Sequence, residues 1–300
     1  MDLDRISNTR ILLTGAGGLL GTAFQQALAC QVVIPLSRDR LSPDNPDSLE
    51  KAINLAAPDI VINCAAHTDV EAAERDPTVN FQINGRLPGL LGEICGKMGI
   101  FLVHFSSTGC YGNWKLEPYI EEDILRPTTA HHRAKLAGEE AVRESGASHL
   151  VLRTGWLYGG LPSQPKNFVW NRLVEAMSKV ELVTNGTQRG CPTFAGDLVK
   201  QTLVLLKSGQ IGIFNATSQG SASRYEYIAC IIRAAHLPCL VQPGSGFSRL
   251  AQVSDNEMSL NRRLDAEGLD VMPHWQPAVT GYVETLIRSQ DWQNRLRSAV

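Results

Sequence analysis

The sequence predicts an α/β protein built on a doubly wound parallel sheet, with a smaller lobe toward the C-terminus. Three observations carry this. Short apolar runs alternate with helix-capable stretches through the first half of the chain, and the first of those runs ends in a glycine-rich turn that opens a helix. The third is size: 300 residues with 43% apolar content suffice for one large sheet-centred unit with a lobe attached.

The elements follow in order. Arg10 to Thr14 is a short apolar run ended by glycines, the mark of a buried parallel strand, and Leu19 to Cys30 has helical apolar spacing. Gln31 to Ile34 reads as the next strand, followed by a loop rich in Pro, Asp, Asn and Ser through Asp47 and an amphipathic segment from Leu49 to Ala56. Further strands are expected at Ile60–Asn63, Ile100–Phe105 and His149–Arg153, separated by helical stretches at Gly85–Met98 and Thr129–Glu144. After Tyr158, Gly159, Gly160, Pro162 and Pro165 punctuate a loop before a helical pattern from Asn167 to Lys179. Beyond Gly220 come helical patterns at Arg224–Ala235 and Thr280–Arg288 around a loop-rich stretch from Pro243 to Glu257. The expected division is a dinucleotide-binding unit over 1–160, to which 194–220 returns, and a substrate lobe over 161–193 and 221–300.

Composition excludes several classes of function. A net charge of −2 with both signs interspersed gives no electrostatic footprint for nucleic acid. The seven cysteines are scattered without a C-x-x-C pair, so they read as reduced thiols and not as a metal or redox centre. No metal is expected. Met1 to Arg10 is polar and no apolar run approaches membrane-spanning length, which leads us to expect a cytoplasmic protein without a membrane partner.

Thr14-Gly-Ala-Gly-Gly-Leu-Leu-Gly21 contains G-x-x-G-x-x-G on Gly15, Gly18 and Gly21. Gly15 permits the tight strand-to-helix turn, Gly18 lets backbone approach a pyrophosphate, and Gly21 lets the helix pack on the sheet. A plain tight turn is the bland alternative, but a position after a strand and before a helix is what a Rossmann-like dinucleotide site requires. After the second strand stands Ser37-Arg38-Asp39-Arg40. Arg38 suits a 2′-phosphate and so favours NADP(H), while Asp39 keeps NAD(H) open; a solvated charged loop is the other reading.

Phe105-Ser-Ser-Thr108 closes a strand and His131-His-Arg-Ala-Lys135 opens a helix. Residues at i and i+4 share a helix face, so His131 and Lys135 can point together at Ser107 and Thr108. A hydroxyl, a proton donor and a lysine would then meet where a nicotinamide lies, and a hydroxyl-rich turn beside a basic helix start is the alternative. His132 is expected to point away from His131. Cys110 reads as a small buried hydrophobe and Tyr111 as a core or loop residue.

Several stretches together resemble the dTDP-4-dehydrorhamnose reductase family of extended short-chain dehydrogenases. They are Thr14 to Gly21, Val61 to Val70, Asn84, Glu117 to Asp123, Lys135 to Glu139, Arg153 to Gly159, Gly190 to Thr193, Gly212 to Asn215 and Ser259-Leu260, in the family's order across nearly the whole chain. The resemblance implies NAD(P)H-dependent reduction of a 4-keto-6-deoxy sugar nucleotide. It places Gly15, Gly18, Leu19 and Leu20 at the pyrophosphate and Cys64, Ala65 and Ala66 along the dinucleotide, and it makes Lys135 the catalytic lysine. An ungapped register from His104 to Tyr111 puts Ser107 at the family's catalytic threonine, or Thr108 if it slips by one. His131 stands where the family has its catalytic tyrosine, and Ser254-Asp255-Asn256 replaces its Arg-Pro pair. Beside a small-molecule reductase, a dinucleotide-binding regulatory or scaffold protein without turnover is the second reading. A homodimer fits either, although no residue specifies an interface.

Overall fold

The computed structural model describes residues 9–246 and 248–298; residues 1–8 of the polar N-terminal stretch, with 247, 299 and 300, lie outside them. Six strands form one parallel sheet: β1 (Arg10–Thr14), β2 (Val32–Leu36), β3 (Ile60–Asn63), β4 (Phe101–Ser107), β5 (His149–Thr154) and, later in the chain, β10 (Gly212–Asn215). Their order is β10-β5-β4-β3-β1-β2. The chain runs outward from β1 in both directions, so the order reverses between β1 and β3 and leaves a crevice at their C-terminal ends, where α/β sheets bind ligands.

Helices cover both faces. On one lie α1 (Leu19–Ala27) and, much later, α8 (Ala195–Lys207), whose Leu20, Phe24, Leu198, Val199 and Leu205 are buried against Ile11, Leu13, Ile62 and Val103 of the strands. The other carries α2 (Pro46–Ala56), α5 (Leu87–Met98) and α6 (Ala130–Glu144), burying Leu49, Ile53, Leu91, Ile94 and Val142 against Leu12, Val61, Leu102 and Val151. Between β3 and α5 run α3 (Val70–Arg75), α4 (Pro77–Phe81) and a π-helical turn, Gln82–Arg86.

A second core gathers α7 (Phe168–Met177), α9 (Arg224–Ala234) and α11 (Trp275–Arg288) around Tyr158, Leu173, Tyr227, Ile231, Val279 and Val283. Small sheets tie it together. β7 (Glu181–Asn185) pairs with β12 (Leu240–Gly244), β6 (Leu157–Tyr158) pairs with β9 (Thr193–Phe194), and β8 (Arg189–Gly190) lies between β11 (Ala222–Ser223) and β13 (Asn256–Glu257). Two short C-terminal elements, α10 (Arg262–Ala266) and α12 (Gln290–Ser298), complete the chain.

Several bounds differ from the pattern for physical reasons. β2 extends through Pro35 to Leu36, which an edge strand tolerates because one side of its backbone needs no partner. α11 begins at Trp275, five residues before the expected start; the His274 side chain accepts from Gln276 N–H, and Pro277 sits in the first turn, where a missing N–H costs little. The stretch read as helix from Gly85 begins as the π turn and becomes α-helical only at Leu87. No helix of the described residues is long and apolar enough to cross a membrane.

Candidate active site

The ends of β1, β3 and β4 are locked by one buried chain of hydrogen bonds. Thr14 Oγ1 donates to Asn63 Oδ1 (2.6 Å), Ala65 N–H donates back to Thr14 Oγ1 (3.1 Å), and Asn63 Nδ2 donates to His104 Nδ1 (3.1 Å). This holds Cys64, Ala65 and Ala66 at the crevice opposite the glycine turn, with Ala66 exposed. Burial pushes the Cys64 thiol far above its ordinary range, so it is a neutral lining group.

Gly15 has φ +62°, and a Cβ there would stand 2.6 Å from the Cys64 carbonyl carbon; one on Gly21 would stand 2.2 Å from the Gly15 oxygen. Gly17 faces open space, and Gly18 meets only the Gly15 oxygen. The N-terminus of α1 has no side-chain cap and no acidic residue in its first turn, so the amides at Leu19 and Leu20 remain for an outside acceptor. A cradle of this shape fits a pyrophosphate. Beyond β2, Ser37 and Arg38 are exposed at a short 3-10 turn, Arg38–Arg40, and Asp39 is held below its usual range chiefly by a hydrogen bond from Ser37.

Lys135 is buried, and its Nζ donates to the carbonyl oxygen of Phe105 (2.9 Å), two residues before Ser107. Burial pushes its ammonium down to about 8. Ser107, half-buried at the strand end, accepts from Gly109 N–H (3.2 Å), which leaves its own hydrogen to donate. Thr108 is fully buried beside Gly155, with no partner for its hydroxyl among the described groups.

His131 and His132 are both buried at the start of α6, where Thr129 caps the helix. The two rings do not diverge as expected; their centroids are 5.0 Å apart, edge to face. His132 is turned onto Gly109, where a Cβ would strike its ring, and its Nδ1 lies 3.0 Å from Thr129 Oγ1. His131 turns its Nδ1 toward Asn80 Nδ2 (3.1 Å) and Asn84 Nδ2 (3.5 Å). Burial, aided by His132, Lys135 and His67, holds the His131 imidazole down to about 2.

The second core contributes groups that the sequence reading did not single out. Trp156 has φ +46°, a strained backbone for a side chain of that size, and its Nε1 donates to Glu257 (2.8 Å). The Arg224 guanidinium stacks 3.5 Å above the Trp156 ring, and its Nε donates to Gln188 (3.2 Å). Asp255 is exposed on a cleft of about 630 Å³ with Lys115 and Arg189. Gln164 Nε2 donates to the Gly17 carbonyl (3.1 Å) and Lys166 Nζ to Thr68 (2.7 Å), so the loop after Gly160 reaches both sides of the crevice. Tyr111 is a core residue: its hydroxyl donates to Asn215 and accepts from Arg153, which is ion-paired with buried Glu139. The sequence did hold one signal for Asn80. It lies four residues before Asn84, so two buried amides share one face.

A strand-turn-helix cradle suited to a dinucleotide and a lysine anchored under the end of β4 stand on one crevice. The family model described as RmlD substrate binding domain matches residues 9–288. The chain belongs to this family. The dTDP-4-dehydrorhamnose reductase of Mycobacterium tuberculosis H37Rv is 31% identical over 299 residues, covering 96% of this chain and 97% of its own. A solved dTDP-4-dehydrorhamnose reductase from Clostridium acetobutylicum superposes with a TM-score of 0.88 at 30% identity, covering 92% of this chain and 99% of that one. Another, from Bacillus anthracis in complex with NADP, gives 0.87 at 26% identity, covering 92% and 98%.

Proposed function

We propose that the chain is an NAD(P)H-dependent reductase of a carbonyl, with a 4-keto-6-deoxy sugar nucleotide as substrate. The observation that carries this is the meeting of Lys135 and the Ser107 end of β4 at the switch point of the sheet, beside a cradle suited to a dinucleotide. The names of the relatives agree with it. In this reading residues 1–160 and 194–220 hold the dinucleotide, and 161–193 and 221–300 hold the substrate.

Gly15, Gly18, Leu19, Leu20 and Gly21 cradle the pyrophosphate, Ser37 and Arg38 meet the adenosine ribose and favour NADP(H), and Cys64, Ala65 and Ala66 line the nicotinamide half. When bound, the reduced dinucleotide supplies the hydride. Lys135 holds the nicotinamide ribose, its ammonium oriented by the Phe105 carbonyl. Ser107 donates its free hydrogen to the substrate oxygen, and its half-exposed place favours it over the buried Thr108. His131 supplies the second donor, in a neutral ring, which lowers the barrier by stabilising charge that grows on the oxygen, while the proton that completes the alcohol passes through the half-exposed Ser107 hydroxyl and is replaced from water. On the other wall, Arg224 offers a guanidinium for the diphosphate where the Arg-Pro pair is missing.

The test is calorimetric binding of NADPH and NADH together with cofactor oxidation by a dTDP-4-keto-6-deoxy sugar, on the wild type, His131→Gln and His131→Tyr. Binding with turnover in the wild type, and a drop of about a hundredfold or more in kcat for His131→Gln, supports the reading. Dinucleotide binding without turnover at any pH refutes it and leaves a binding protein; turnover restored only by His131→Tyr would mean that the histidine does not serve.

A further inference from the structure

A neutral imidazole carries its hydrogen on one of two nitrogens, and only a hydrogen on the side facing the substrate can serve a carbonyl. Around His131 the choice follows from hydrogen-bond arithmetic. Asn84 is oriented at both ends by the backbone of His67: its Oδ1 accepts from His67 N–H (3.2 Å) and its Nδ2 donates to the His67 carbonyl (2.8 Å). A flipped amide would set oxygen against oxygen and hydrogen against hydrogen. Asn80 Nδ2 donates to the same carbonyl (3.2 Å), where a flipped amide would set oxygen against oxygen; it also lies 3.1 Å from His67 Nδ1, and its Oδ1 has no partner among the described groups.

Both amides therefore present N–H groups to His131 Nδ1, at 3.1 Å from Asn80 and 3.5 Å from Asn84. An amide nitrogen donates and does not accept, so Nδ1 must be the acceptor, and the hydrogen of the neutral ring sits on Nε2. Both asparagines are fully buried, which keeps water from replacing either bond. Asn84 lies within the π turn Gln82–Arg86, a local widening of the helix that is common where a side chain must be re-aimed for function.

We infer that Asn80, backed by Asn84, is a positioning residue that fixes His131 as its Nε2–H tautomer and so makes it a neutral hydrogen-bond donor instead of an imidazolium acid. A proton added to Nδ1 would point at two N–H groups and would have to compete with both for the His67 carbonyl, which lies beside the ring and already accepts from Asn80 and Asn84. The titratable groups facing the ring are His132 and Lys135 from its own helix and His67 from the loop after β3; all three are basic. Glu74 of α3 lies near the helix start, where it accepts from Ala130 N–H (2.8 Å) and from Arg133, and the nearby His104 bonds to Asn63. Among the described residues no carboxylate accepts from the His131 ring. Only the identity of the acceptor at Nε2, a substrate carbonyl, rests on the reductase reading.

The tautomer is read directly by long-range 1H–15N NMR of the 15N-labelled full chain, with His131→Gln assigning the resonance. Expected is a protonated Nε2 and a bare Nδ1, unchanged through the range where a free histidine titrates. In Asn80→Asp the carboxylate can only accept, so the hydrogen moves to Nδ1 at neutral pH, and the ring's titration shifts upward by about two units or more. With turnover, kcat of that variant falls about a hundredfold while NADPH affinity holds. A wild-type ring protonated at Nδ1, or one titrating near pH 6.5, overturns the inference, as does an unchanged tautomer in a folded Asn80→Asp. Because the spectrum needs no substrate, a protein that shows the expected tautomer but reduces nothing would sink the reductase reading alone.

Discussion

Burial of His131 as a neutral ring has a thermodynamic consequence that needs no substrate. An unfolded histidine titrates near 6.5, while the folded ring is held down to about 2, first by burial and then by its basic neighbours. Between those values the unfolded chain binds a proton that the folded chain does not. The folded pKa is depressed and the group is a base, so this linkage destabilises the fold as pH falls below 6.5 and is absent above it. Lowering the pH from 7 to 5 should therefore remove about 2 kcal/mol through His131 alone. His132 and His104, also buried and depressed by burial, act in the same direction. The contribution is isolated by urea denaturation of wild type and His131→Gln at both pH values, since Gln keeps an acceptor near Asn80 while having no proton to gain. The wild type should lose about 2 kcal/mol more than the variant between pH 7 and pH 5. Parallel losses, agreeing within roughly 0.5 kcal/mol, would mean that His131 charges as readily in the fold as outside it, and the neutral-donor argument would fall.

Other expectations follow from the same geometry. Gly21→Ala drives a methyl to within 2.2 Å of the Gly15 oxygen, whereas Gly17→Ala meets nothing within 4 Å, so calorimetry should find NADPH binding weakened at least about tenfold in the first while thermal melting finds the second unperturbed. Arg38→Ala should lower the ratio of NADPH to NADH affinity by about tenfold or more, measured by paired titrations; an unchanged ratio would assign Arg38 to a solvated loop. Lys135, with its ammonium pushed down to about 8, is charged below that pH and neutral above it. The pH profile of kcat/KM should accordingly hold level through neutrality and fall above about 8, without a histidine limb near 6.5.

How much of this was legible in the sequence depends on whether a feature leaves a compositional trace. The β1–turn–α1 unit does, because a strand, three spaced glycines and a helix start allow few other structures, and the alternation after it implied the parallel sheet. The pairing of Lys135 with the end of β4 was legible as an i, i+4 relation to His131 and a hydroxyl-rich strand end. The π turn at Gln82–Arg86 was not, since it changes hydrogen-bond register and leaves composition untouched. Trp156 gave no warning either: a positive φ on a tryptophan follows from packing between β5 and the second core, not from the residue type. His132 was expected to diverge from His131 because successive helical residues are about 100° apart. The prediction failed because Thr129 and Gly109 draw the His132 ring back toward its neighbour. Arg224 lay hidden as a lone charge after the Ser223 cap; only the fold sets it on Trp156.

On the proposed reading, in which His131 stands where the family resemblance places a phenol, the amides around the ring have a reason. A phenol has one hydroxyl that can rotate toward its acceptor, so nothing behind it needs to choose a proton position. An imidazole has two nitrogens, and a partner behind the ring decides which one donates. A carboxylate there would draw the hydrogen to Nδ1 and leave the substrate side bare, or stabilise a second cation beside the buried Lys135 ammonium. An oriented amide N–H avoids both outcomes, because it fixes the ring without adding charge. The depressed His131 and Lys135 titrations and the uncharged Asn80–Asn84 pair thus describe one electrostatic arrangement, which suits the proposed roles of the lysine as the positive charge kept for a dinucleotide and of the histidine as a dipole.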